Sequence, residues 1–95
     1  MTAHVAVTIK VKDREKLGEY ASRAPDTVAA HGGKFLIRGP VSEVLSGNAE
    51  YNIFALLEFP DADTVRGWYN SAEYQALIPT REAGADMIFT LVEAP

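Results

Sequence analysis

The sequence contains no cysteine. That excludes a disulfide framework, a thiolate metal site and a cysteine nucleophile. It has only two histidines, His4 and His31, 27 positions apart and in no HxxxH or HxH arrangement, which is poor material for a metal centre. Basic charge is scarce as well: 9 Lys and Arg stand against 13 Asp and Glu, a net charge of −4. The one basic cluster, Lys10, Lys12, Arg14 and Lys16, alternates with Asp13 and Glu15 and so presents no nucleic-acid face. Long apolar runs are missing. IFALL at 53–57 is far too short to span a bilayer, and the opening MTAHVAVTIKVK lacks the basic-then-apolar layout of a signal peptide. There is no serine elbow, P-loop, GxGxxG fingerprint or zinc motif. Covalent catalysis, phosphoryl transfer and dinucleotide binding are therefore disfavoured. The expectation is a cytoplasmic protein with no metal, no bound organic cofactor, no nucleic-acid partner and no membrane segment.

What is present reads as a folded chain. Its 95 residues, 47% of them apolar, suit one domain spanning 1–95. A chain of this size buries roughly 60–65% of its unfolded surface, which leaves little surplus stability. Small domains often need a staple, and without cysteine or metal ligands oligomerisation is the one still open.

The segment 4–12 alternates strictly, with Val5, Val7, Ile9 and Val11 on one side, and predicts a strand. Asp13 then offers a helix cap, and Leu17, Tyr20, Ala21, Ala24 and Val28 form a helical stripe. Pro25 lies inside that stripe and predicts a kink or break near Ala24. Gly32-Gly33 ends the helix. A second strand is expected over 34–38, bent at Gly39-Pro40 and resumed over 41–47, with a turn at Gly47-Asn48. A third covers 50–59 and stops at Pro60. Asp61 or Asp63 caps the next helix, Asn70-Ser71 breaks it, Ser71 caps a further turn, and Pro79 interrupts again before a last strand at 86–94. The order β-α-β-β-α-β is the ferredoxin-like α+β layout, a four-stranded antiparallel sheet with the helices on one face.

Such a sheet should be polar on its uncovered face. Strand 50–59 is not: Tyr51, Ile53, Ala55, Leu57 and Phe59 lie on one side, and Phe54 and Leu56 share the other with Asn52 and Glu58. Strand 86–94 repeats the pattern, with Met87, Phe89 and Leu91 set against Ile88, Thr90 and Val92. Helices cover one face. A second copy of the sheet would cover the other, so a two-fold homodimer through the sheet faces is expected.

HGGKFLIRG (31–39), EFP (58–60), WYNSAEYQ (68–75) and the terminal LVE (91–93) together resemble the bacterial domain-of-unknown-function family 1330, and Glu19-Tyr20 and Arg81 fit its pattern. The resemblance runs over essentially the whole chain. It implies a dimeric α/β barrel in which two ferredoxin-like protomers pack sheet to sheet. That superfamily also includes muconolactone-isomerase-like enzymes, cofactor-free quinone-forming monooxygenases and stress-responsive barrel proteins. A reaction follows only by analogy, because fold does not imply function. Pro40 departs from the pattern, standing where a second glycine is usual after Arg38-Gly39.

The candidate site residues follow. Arg38, in an apolar strand, needs an anion: either Glu58 or Glu43 as a structural partner, or a substrate carboxylate or enolate. His31 either acts as a general base or meets the last carbonyls of its helix. A catalytic set of His31, Arg38 and Glu58 would abstract a proton beside a carbonyl and steady the oxyanion. Trp68 is read mainly as core, with Tyr69 and Tyr74 as pocket residues. Tyr20, Trp68, Tyr69, Ser71, Tyr74 and Arg81 form the expected substrate-binding set, although exposure to solvent is the simpler expectation for Arg81. The ligand would be a small cyclic or aromatic acid or ketone. The competing reading is a non-catalytic binding or structural dimer.

Overall fold

The computed structural model describes residues 2–94. Its elements are β1 (Ala3–Val11), α1 (Arg14–Ala30), β2 (Lys34–Pro40), β3 (Ile53–Phe59), α2 (Ala62–Tyr69), α3 (Ala72–Gln75), α4 (Ile78–Gly84) and β4 (Ala85–Glu93). The strands form one antiparallel sheet in the order β2-β3-β1-β4. The helices lie on one of its faces, where Val5, Val7, Ile9, Ala55, Leu57 and Phe59 meet Tyr20, Ala24, Val28, Val65 and Trp68 in a single core. No described helix is long and apolar enough to cross a membrane.

The period-two pattern sets the register. Val5 faces Leu57 and Leu91, and Val7 faces Ala55 and Phe89, so the β-branched side of β1 sits over the helix layer. Asp13 caps α1 by accepting from the Glu15 and Lys16 amides at 3.0 and 3.2 Å. Asp61, not Asp63, caps α2, accepting the Thr64 amide and hydroxyl, each at 2.7 Å. Those bonds to Thr64 hold the Asp61 carboxyl below its usual pKa. Gly32, at φ +77°, ends α1 in the left-handed conformation.

Three expectations about elements need correction. α1 runs unbroken through Pro25, which overturns the break half of the kink-or-break expectation. The proline removes only the bond to the Ala21 carbonyl, and Ala21 is exposed, so water can satisfy that oxygen. Packing of Tyr20, Ala24 and Val28 on the sheet outweighs the local preference. β2 does not resume over 41–47, and β3 starts at Ile53 rather than 50. After Pro40 the ladder continues by one bond, Val41 N to Asn52 O at 2.8 Å. The Asn52 amide then turns to Ile9 O at 3.0 Å, and the chain between forms a loop with Gly47 at φ +87°.

The uncovered face carries Ala6, Thr8, Phe54 and Leu56, with Ile37, Ile88 and Val92 exposed around them. Lys34, Glu58 and His4 rim one end.

A close backbone contact joins the end of α4 to the start of α1. The Gly84 carbonyl accepts from the Lys12 and Asp13 amides at 2.8 and 3.0 Å, and a Cβ at Gly84 would stand 2.5 Å from the Leu17 nitrogen. Backbone cannot yield as a side chain would. Gly84→Ala is therefore expected to destabilise the protein by about 3 kcal/mol, the upper end for overpacking. Gly67→Ala, where a Cβ meets nothing within 4 Å on α2, should stabilise by up to about 1 kcal/mol. Urea unfolding of the pair checks both signs.

Candidate functional site

The rings of WYNSAEYQ are placed by the break between α2 and α3. Trp68, in the last turn of α2, is 1% exposed and tilts against Phe59 at 5.3 Å between centroids. Its Nε1 donates to Thr27 Oγ1 at 3.0 Å, which ties α2 to α1. The helix then stops, and Ser71 turns the chain: its Oγ donates to Trp68 O at 2.7 Å and accepts the Tyr74 amide at 3.2 Å. That turn brings Tyr74 back beneath Trp68, 4.5 Å away and fully buried.

Four polar groups from four helices meet there. The Tyr20 hydroxyl of α1 lies 2.6 Å from the Tyr74 hydroxyl of α3. Arg81 of α4 donates through Nη1 to the Tyr74 hydroxyl at 3.0 Å and to the Tyr69 hydroxyl of α2 at 3.1 Å. Its guanidinium carbon stands 4.8 Å from the centre of the Phe89 ring. Arg81 is only 8% exposed. Among the described residues its one carboxylate partner is Glu82, at 3.6 Å from Nη2, with a side chain 66% exposed.

Burial pushes the Tyr20 hydroxyl well above its ordinary pKa, and Tyr74 beside it adds to the effect. Burial also raises Tyr74, against the opposing bonds from Tyr20 and Arg81. For Arg81, burial alone would lower the pKa, but the bonds to Tyr69 and Tyr74 more than offset it and hold the group charged. The centre is thus a fixed cation among neutral hydroxyls.

Two spaces flank this cluster. A chamber of about 70 Å³ lies between α1 and the sheet, walled by β1, β3 and β4 residues, by Tyr20, Ala24 and Val28, and by Trp68. The second space is an open groove of about 420 Å³ between α2 and β4. Its polar residues are Arg66, Tyr69, Asn70 and Arg81, and Val65, Met87, Phe89 and Leu91 supply apolar wall.

The expected residues fall as follows. Tyr20 and Arg38 line the chamber, Tyr69 and Arg81 line the groove, and Trp68 lines both. Tyr74 joins the two polar groups behind them, and Ser71 serves the backbone. Arg38 pairs with Ala55 in register, is exposed at the chamber rim, and stands 5.6 Å from the Phe35 ring centre. Neither Glu58 nor Glu43 joins it. Glu58 faces the other side of the sheet, with His4 at 3.3 Å and Lys34 at 3.6 Å; Glu43 is exposed in the 41–52 loop. His31 caps α1, its Nδ1 3.0 Å from Thr27 O. The residues His31, Arg38 and Glu58 therefore stand apart, and Arg38 and Tyr69 line different spaces. Arg81, for which exposure was the simpler expectation, is buried because α4 packs against α1. Sequence reasoning missed Arg66, Asn70 and the β4 wall, although the alternation of Met87, Phe89 and Leu91 already put those three on one face of the strand.

Removing the shared hydroxyl tests the cluster. Tyr74→Phe leaves a buried hydroxyl and a buried N–H short of a partner and should cost about 1–3 kcal/mol; Tyr69→Phe, half-buried, should cost about 0.5–1.5 kcal/mol. The pH dependence has a definite sign. Tyrosines whose folded pKa lies above the unfolded value of 10.0 contribute stability that is intact below pH 10 and lost as the pH rises beyond it, because only the unfolded chain ionises. Stability by chemical denaturation should fall above about pH 10, and less steeply in Tyr74→Phe.

Among curated proteins none matches the chain. Several solved structures share its fold at low identity. A protein of unknown function from Rhodopseudomonas palustris is 15% identical, with a TM-score of 0.84 over 99% of this chain and 82% of that one. A dimeric ferredoxin-like protein of unknown function from Jannaschia sp. CCS1 is 12% identical, with a TM-score of 0.80 over 99% and 100%. SnoaB, a cofactor-independent oxygenase from Streptomyces nogalater, is 14% identical, with a TM-score of 0.70 over 99% and 93%. At such identities these similarities carry the fold alone, here an antiparallel ferredoxin-like α+β sheet. Residues 2–95 match the family described as Domain of unknown function (DUF1330), and the chain belongs to that family.

Proposed function

We propose that the protein binds a small cyclic or aromatic acid in the groove between α2 and β4, with the carboxylate at Arg81. The observation that carries this reading is a guanidinium that is 8% exposed yet has only a solvent-exposed glutamate as counter-charge. A buried cation is costly unless paired. Arginine pairs best with a carboxylate, whose two oxygens match its fork. The groove that Arg81 borders has apolar wall for a ring at Met87, Phe89 and Leu91, and a polar mouth at Arg66 and Asn70. Few polar groups set in apolar wall is the common form of a small-molecule site.

The catalytic form of this reading is a cofactor-free enzyme acting on such an acid or its ketone. Arg81 and the Tyr69 hydroxyl would then stabilise negative charge developing on oxygen. No carboxylate or histidine lines the groove among the described residues, so the chain itself offers no general base there. That favours binding, or a reaction in which the substrate is already ionised. The cofactor-independent oxygenase SnoaB is a precedent for chemistry on this fold.

The protein is further proposed to act as a homodimer built through its uncovered sheet face. The apolar patch at Leu56, Phe54, Ile37, Ile88 and Val92 supports it, as does the description of two neighbours as dimeric ferredoxin-like proteins. The register separates two adjacent leucines: Leu57 is in the core, whereas Leu56 faces away from the helices. Leu56→Lys is expected to give a folded protein of half the wild-type mass by light scattering, while Leu57→Lys should unfold it. A wild-type monomer at micromolar concentration would remove the dimer.

Phenylacetate, with phenylacetamide as its uncharged counterpart, tests the groove. Calorimetry should show phenylacetate binding and the amide binding far more weakly. Arg81→Gln should weaken phenylacetate by roughly 10- to 150-fold, the worth of a hydrogen bond to a charged group. Methyl NMR shifts at Val65 and Leu91, present in Arg66→Gln and absent in a still-folded Arg81→Gln, complete the test. Equal affinity for acid and amide would sink it.

A further inference from the structure

We infer that the chamber beneath α1 is a second, separate site, a dry seat for one compact apolar molecule of the size of dioxygen or a short alkane. The lining decides the chemistry. Of its lining side chains only Tyr20, Arg38 and Trp68 carry polar atoms, and the Trp68 Nε1 is already spent on Thr27 Oγ1 at 3.0 Å. The Tyr20 hydroxyl is already committed to Tyr74 at 2.6 Å, and Arg38 stands exposed at the rim. A buried water needs two to four polar partners, and an apolar cavity that lacks them stays dry. The volume sets the size. An engineered apolar cavity of ~150 Å³ accepts benzene or xenon, and this one, at about 70 Å³, is half as large. A ring does not fit; a diatomic gas or a two- or three-carbon chain does.

The chamber is also kept open by the choice of residues around it. Ala24 on the helix and Ala55 on the sheet are core positions on opposite walls, each 5% exposed or less. A leucine or valine at either would fill the space at no cost in polarity. The position of the chamber is what gives it a role. Trp68, Met87 and Phe89 line the chamber on one side and the groove on the other. A guest in the chamber therefore sits one side chain away from whatever occupies the groove. Arg38, 5.6 Å from the centre of the Phe35 ring at the rim, marks the way in.

The inference does not need the groove to bind an acid, and the probes keep the two apart. Methyl NMR spectra of the wild-type protein under xenon pressure should show saturable shifts at Val7, Ile9, Val28 and Leu57, which border the chamber, and none at Val65 and Leu91, which border the groove. Phenylacetate should do the reverse. Ala24→Leu should reduce xenon affinity at least tenfold, leave phenylacetate affinity unchanged, and hold or raise the melting temperature. Should Ala24→Leu fail to fold, Ala55→Val on the facing wall carries the same comparison. Three results would overturn the proposal: xenon shifts spread evenly over surface methyls, xenon binding that survives in a folded filled variant, or long-lived water detected against the chamber methyls. Xenon binding without any phenylacetate response would uphold the chamber and remove the acid groove.

Discussion

The helix layer depends on one buried charge. The Arg81 guanidinium comes from α4, bonds hydroxyls from α2 and α3, reaches α1 through the Tyr74–Tyr20 link, and stands over Phe89 of β4. The three short helices, the last strand and, through Tyr20, the long first helix are all indexed to it. Replacing a buried charge with well-packed hydrophobic groups is often neutral or stabilising, because the interactions it makes rarely recover its desolvation. The tyrosines soften the cost without cancelling the charge: neutral hydroxyls accept hydrogen bonds but supply no counter-ion. What remains is a positive field at the back of an open groove, and an anionic guest is the group that would complete it.

The same cluster explains why the helix layer is broken into short pieces. A continuous helix from Ala62 onward would carry Tyr74 around the axis and away from Trp68. Ser71 ends that possibility by binding the Trp68 carbonyl and the Tyr74 amide at once, a local competitor to helical bonding. Pro79, in the first turn of α4, then begins a new helix where its missing N–H does no harm. The short helices cost regularity and gain a vertex at which three directions of side chain converge.

Local pattern carried most of the fold. Alternation in β1 and β4, the caps Asp13 and Ser71, and the Gly32 stop are each decided by a residue and its near neighbours, and each reads directly, whereas for the cap of α2 the sequence narrows the choice only to Asp61 or Asp63. Pro25 does not break α1 because its cost is local whereas the packing of Tyr20, Ala24 and Val28 that holds the helix is not. The loop 41–52 misled because its valines and leucine imitate a strand, while pairing depends on what lies alongside; Leu45 is 90% exposed. The site was legible by composition and not by grouping. Arg38, Arg81 and the tyrosines stand out in sequence, but which of them share a space depends on the face of β2 after a bulge between Phe35 and Ile37, and on how α4 meets α1. Neither is a local property. Arg81 looks like any helical surface arginine until Gly84 is seen to let the two backbones touch.

The sheet has two apolar faces with different work to do, and that division has a consequence for how the molecule can change. The helix side holds the charge, the chamber and the groove; the other side holds Leu56, Phe54 and the exposed valine and isoleucines, with the His4–Glu58–Lys34 group at one end. In β1 and β3 consecutive residues alternate between them, so a strand can alter its outward set while keeping its inward set. Thr8 and Ala6 can drift without moving Val7, and Leu56 without moving Leu57. The proposed assembly through the outer face and the proposed recognition beneath the helices are then separable in sequence even though they share every strand. Backbone twist and register are the properties both faces hold in common, and these are the ones a second copy of the sheet would fix.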